Sequence, residues 1–247
     1  LLGLRKHGEA TNKRHIISTA IEHKAVLEPL EYLQREYAFE VDFIKPDSTG
    51  AIRVEQVAEK LRDDTLLVSV MHVNNETGII QPIDSIIELL DRHEAYLHVD
   101  AAQSFAKIID PLQSRRIDLM SISAHKLHGP KGVGALVSRR REYRRVPIES
   151  IMFGGGQEYG YRPGTQPVAL IAALGKAVEL GLRHQSERWT SYEGQREALV
   201  EELNDKENKE IVFVGDQEKA VPYIMNVSLC GMDSEALILL LKDRYAI

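Results

Sequence analysis

Two short stretches each carry an apolar run into a group that can do chemistry. In residues 96–103, Tyr96 and Leu97 lead to His98, Asp100 and Gln103; in residues 119–126, Leu119, Met120 and Ile122 lead through Ser123 and His125 to Lys126. A lysine amine forms an imine with a carbonyl compound, and a carboxylate facing a pyridine nitrogen keeps that nitrogen protonated. Pyridoxal phosphate requires both groups from a protein, and Lys126 and Asp100 are of the right types. Both close apolar segments that read as buried strands, so acid and amine are expected at strand carboxyl ends, where open α/β sheets bind ligands. A lone Asp or Lys carries little information because most are simply solvated. The pair, each at a strand end, carries more.

The elements that must hold these groups alternate along the chain. Residues 15–18, 40–44, 65–70, 96–99, 119–123 and 133–137 read as strands, and 25–37, 54–61 and 83–93 as helices. The chain opens at Leu1 inside an apparent helix. Strands separated by helical crossovers predict an α/β fold with a mainly parallel mixed sheet and helices on both faces. After Gln166 an amphipathic run over 168–183 continues past Gln185 as a long helical stretch. It leads to a smaller α+β unit with the order helix, strand, strand, helix, so we divide the chain into a large unit, 1–186, and a small one, 187–247. No internal repeat is present, and Gly154, Gly155 and Gly156 stand without a Walker motif.

Composition narrows the class. With 247 residues, 43% of them hydrophobic, the chain can bury a large core. Its longest aliphatic run, residues 236–241, is far too short to span a bilayer, so no membrane association is expected. A net charge of −6 argues against direct nucleic-acid binding. Arg139, Arg140, Arg141, Arg144 and Arg145 form a local basic patch that reads as a solvated loop face. No metal site is assigned. The single cysteine, Cys230, cannot form an internal disulfide and suits a reducing compartment, so a cytoplasmic location is expected.

Further motifs frame the pair: Glu22-His23-Lys24-Ala25-Val26, residues 71–78 with Asn74, Asn75, Glu76 and Thr77, Gly129-Pro130-Lys131-Gly132, and residues 154–165 with Gln157, Arg162 and Thr165. As an ordered set they resemble the NifS/IscS-like cysteine desulfurases of the class V aminotransferase superfamily, whose members have the fold type I architecture of pyridoxal phosphate enzymes. The resemblance implies that Lys126 holds the cofactor as an imine and that Asp100 pairs with its ring nitrogen. It implies that His23 stacks on the ring and acts as acid or base, tasks that suit a flat imidazole with an ordinary pKa near ~6.5. Asn75 and Gln103 would hydrogen-bond the phenolic oxygen of the cofactor. Ser123 and His125 would bind its phosphate, and Thr165 would reach the phosphate of a neighbouring subunit, which makes a homodimer the expected assembly.

The intact enzyme would convert L-cysteine to L-alanine. It would pass sulfur as a persulfide to an acceptor protein serving iron-sulfur clusters, tRNA thiolation or DNA sulfur modification. The family's upstream phosphate-binding turn is expected to precede Leu1. Its nucleophilic cysteine loop and the arginine that clamps the substrate carboxylate are expected beyond Ile247, so this stretch alone is expected to show little turnover. Cys230 is not at the family's catalytic position and reads as a small buried apolar residue. Two other classes stay open: another class V lyase or aminotransferase, and a scaffold that keeps the fold without the chemistry.

Overall fold

A computed structural model describes residues 1–204 and 211–245. Residues 205–210 and 246–247 of the predicted small unit lie outside the described residues. One sheet dominates, built from β1 (His15–Thr19), β2 (Glu40–Ile44), β3 (Thr65–Met71), β4 (Tyr96–Asp100), β5 (Leu119–Ser123) and β6 (Gly134–Ser138). Their order across the sheet is β2-β1-β3-β4-β5-β6; the first five run parallel and β6 runs antiparallel to β5. The predicted mainly parallel mixed sheet is therefore present.

The central strands are buried because both of their faces are covered. Every residue of β1 and β3 is buried, the pattern of a strand with helices above and below. Alternate side chains feed two cores. Ile17, Val68, Val70, Leu97 and Val99 pack with Val57 of α3 (Val54–Lys60), Ile83 and Ile86 of α4 (Ile83–Leu89), and Leu174 and Ala177 of α5 (Val168–Arg183). On the other face Ile16 and Leu67 pack with Val26, Leu30 and Leu33 of α2 (Lys24–Tyr37), and with Leu4 just ahead of α1 (Arg5–Thr11).

Three local expectations are corrected. The helix predicted over 83–93 stops at Leu89. Arg116 takes the Leu90 and His93 carbonyls (2.9 and 3.1 Å), so these groups are satisfied without another helical turn. The long stretch after residue 168 is two helices, α5 and α6 (Gln185–Asn204), broken at His184. The basic patch is only partly a solvated face. Arg139 donates to the Ser114 and Leu112 carbonyls (both 2.6 Å), and Arg141 reaches the buried carboxylate of Asp118 at 2.6 Å, whereas Arg140, Arg144 and Arg145 are exposed.

Beyond α6, β7 (Ile211–Phe213) pairs antiparallel with β8 (Val227–Leu229), and α7 (Ser234–Tyr245) follows. The segment joining β7 to β8 lies against the turn after β3: Val221 N–H donates to the Gly78 carbonyl at 2.9 Å. Gly78 has φ +76°, and a Cβ there would stand 2.9 Å from the Ile224 carbonyl oxygen, so both backbone shape and space call for glycine. Among the described residues no helix is long and apolar enough to cross a membrane.

The strand order also says where to look for a site. From β1 the chain crosses outward to β2, then returns to β3 on the other side of β1. The carboxyl ends of β1 and β3 therefore flank a topological switch point, the crevice in which open α/β sheets hold ligands.

Candidate active site

Four strands deliver side chains to that carboxyl edge. β4 ends in Asp100, whose carbonyl accepts from His72 N–H and whose Oδ1 accepts from Ala102 N–H, both at 2.9 Å. Its Oδ2 has no protein partner among the described residues. β5 ends in Ser123, and a tight 3-10 turn, Ala124–Leu127, then carries His125 and Lys126. Ser123 Oγ and His125 Nδ1 lie 2.9 Å apart. Lys126 is half-buried and has no ion pair or hydrogen bond among the described residues. In the sheet register Asp100 stands between Met71 of β3 and Ser121 of β5.

β1 contributes His23, the N-cap of α2. Its Nδ1 accepts from Ala25 N–H at 3.1 Å, so the neutral ring carries its proton on Nε2. The imidazole is exposed, with Nε2 open to a ligand. β3 leads into a turn organised by Asn74. Its Oδ1 accepts from Glu76 and Thr77 N–H, and its Nδ2 reaches back to the Ile21 carbonyl at 3.1 Å. Asn75, in the same turn, is half-buried with a side-chain amide uncommitted among the described residues. Gln103 follows β4; its carbonyl accepts from Tyr223 Oη at 2.9 Å, which anchors the backbone, and its side-chain amide is uncommitted among the described residues. Thr165 stands apart, exposed on the loop ahead of α5, and no described contact joins it to the others.

The sequence did not mark out four other side chains here. Glu22 is buried between β1 and β3, and Asn74, not Asn75, holds the turn. Lys107 lies over the Tyr223 ring with Nζ 4.3 Å from its centre, and Tyr223 ties this pair to Gln103. Burial, and then the charge of Lys126, lower the Lys107 amine to about 8. Glu22 carried a faint signal, lying in the same motif as His23; Lys107 and Tyr223 carried none.

The donor set suits pyridoxal phosphate. It offers a half-buried amine without a counter-ion, a carboxylate oxygen without a donor, a hydroxyl and an imidazole at a backbone turn, and a second lysine that adds positive charge for an anion.

A family model described as aminotransferase class-V matches residues 1–247. The chain belongs to the class-V aminotransferase family. Among curated members, the cysteine desulfurase IscS of Vibrio vulnificus is 40% identical over 237 residues, which cover 96% of this chain and 57% of that protein. The chain thus spans a little over half the length of the curated relatives it matches. The crystal structure of DndA from Streptomyces lividans is 50% identical and superposes with a TM-score of 0.91, covering 100% of this chain and 68% of that one. SspA in complex with cysteine is 31% identical, with a TM-score of 0.72 over 98% of this chain and 68% of that one. The fold type I expectation agrees with these neighbours.

One sequence expectation fails for this class-V chain. Cys230 is exposed, not buried. It follows the end of β8, and a ribbon of two short strands cannot enclose the residues at its ends.

Proposed function

We propose that this chain carries the cofactor-binding part of a cysteine desulfurase, which converts L-cysteine to L-alanine and hands the sulfur to an acceptor thiol as a persulfide. The observation that carries the proposal is the uncommitted pair, the Lys126 amine and Asp100 Oδ2, at the carboxyl edge beside the strand switch. Likeness to relatives named cysteine desulfurase supplies the substrate.

Lys126 would hold pyridoxal phosphate covalently, and Asp100 would accept the ring N–H through Oδ2. Bound there, the cofactor supplies a cationic ring that draws off the electron pair left on the substrate carbon. Ser123 and His125 would donate to its phosphate, and Asn75 and Gln103 to its phenolic oxygen. His23 would move a proton through Nε2, because Nδ1 is committed to Ala25. Thr165 would serve the site of a second copy. Ile151, Met152, Phe153 and Tyr159, all exposed on the loop before Thr165, support a homodimer in which that apolar loop is covered. We assign residues 1–186 to cofactor binding and 187–247 to a smaller unit. The acceptor would be a scaffold or carrier protein for iron-sulfur clusters, tRNA thiolation or DNA sulfur modification, working in the cytoplasm where its thiols stay reduced.

The test is turnover by the full-length protein with L-cysteine and pyridoxal phosphate, scored for alanine and for sulfur on an added thiol acceptor. Matched alanine and persulfide, both lost in Lys126→Ala, are expected. Keto-acid release, or no alanine from a protein that holds the cofactor, would turn the assignment to another class-V reaction.

A further inference from the structure

Glu22 is a buried carboxyl group at this edge that the proposed chemistry leaves unused. It is 5% exposed. Its Oε1 accepts from the Thr19 hydroxyl (2.7 Å) and from Met71 N–H (2.8 Å), which ties the β1–α2 turn to the last residue of β3 across the strand switch. Asn74 draws the same two turns together through the Ile21 carbonyl. The other oxygen, Oε2, is buried and has no partner among the described residues. Met71 stands opposite Asp100 in the β3–β4 register, and His23 is the next residue along the chain.

A second carboxylate beside Asp100 would repel it, and an ionised Oε2 without donors would bear the full cost of leaving water. A proton on Oε2 removes the repulsion and cuts the cost of leaving water to that of a neutral hydroxyl, and Oε1 still accepts its two hydrogen bonds. We infer that Glu22 is a positioning residue that acts as a neutral carboxylic acid, fixing the His23 turn on β3 while leaving Asp100 ionised. This rests on Asp100 and Lys126 forming the cofactor site.

The electrostatics agree. Burial, with a smaller push from Asp100, raises Glu22 to about 8 against the pull of its two hydrogen bonds. Of the other titratable groups around it, burial lowers His72 beyond β3 to about 4, so its ring is neutral, and His23 spends Nδ1 on the α2 cap.

A folded-state pKa raised from 4.5 to about 8 contributes stability that is complete below 4.5 and lost as pH rises through about 8. Infrared spectra of the cofactor-free protein at neutral pH should show a protonated-carboxyl C=O stretch that is lost in Glu22→Gln. Urea midpoints of the wild type should fall as pH rises from 6.5 to about 8, above the range in which the buried imidazoles act, and Glu22→Gln, which keeps the acceptor and the neutral side chain, should lose that slope. The same variant should retain the borohydride-fixed pyridoxyl adduct on Lys126. A spectrum without the band, or an unchanged slope in Glu22→Gln, would overturn the inference. A wild type that shows the band and the slope but no adduct would support the neutral acid and count against the cofactor site.

Discussion

On the proposed reading His23 would perform two tasks with one ring, and they can be separated. Nδ1 caps α2 and Nε2 is left for proton transfer. His23→Ala should cost about 1 kcal/mol of stability for the lost cap. His23→Asn restores a capping oxygen without a titratable ring, so its urea midpoint should return toward wild type while alanine formation stays down on the order of 100-fold. Equal stability losses in both variants would show that the cap is not what His23 contributes. Asp100→Asn should lower turnover by at least on the order of 100-fold with little change in folding, because it removes the charge that would face the ring nitrogen and keeps an acceptor for Ala102 N–H. Parallel losses of turnover and stability would make Asp100 structural. The sequence marked Asp100 and Lys126 because a polar group that ends an apolar strand is visible as a pattern. Glu22 was hidden because polar neighbours, His23 and Lys24, give no sign that the chain turns this one carboxyl inward.

At the scale of elements, the strands behind the site are laced by one buried acid. Asp118 lies at the entry to β5 and is 1% exposed. It accepts from Arg141 at 2.6 and 2.7 Å, from Arg116 at 2.9 Å and from Leu97 N–H of β4 at 2.7 Å. Asp118→Asn leaves two guanidinium groups without their anion and should cost about 3 kcal/mol in urea unfolding. A loss below about 0.5 kcal/mol would place the cluster with solvent-screened pairs. This lacing was illegible in a run of arginines, whose partners Ser114, Leu112 and Asp118 come from the segment before β5. The strands themselves were legible, because β-branched and aliphatic residues such as Ile16 and Ile17 of β1 and Leu66, Leu67, Val68 and Val70 of β3 stand in short runs bounded by polar segments, the mark of a buried strand. Where α4 ends was not, since Arg116 supplies the donors that end it.

Over the whole molecule, buried titratable groups set opposing limits on stability. Burial lowers His72 to about 4 and His98 to about 3, from 6.5. Depressed folded-state values give stability that is present above 6.5 and lost as pH falls through them. Glu22 acts in the opposite sense up to about 8. Stability should therefore peak near pH 6.5 and fall more steeply on the acid side, where two imidazoles must charge. A urea midpoint that rises steadily from pH 6.5 to 8 would contradict this balance. Glu22 and His72 adjoin the carboxyl end of β3, and what that edge of the sheet is for can be read directly. Borohydride reduction of the protein mixed with pyridoxal phosphate, followed by peptide mass mapping, should place the pyridoxyl group on Lys126. Its appearance on Lys107, the neighbouring amine that burial lowers to about 8, or on no lysine at this edge, would contradict the cofactor site.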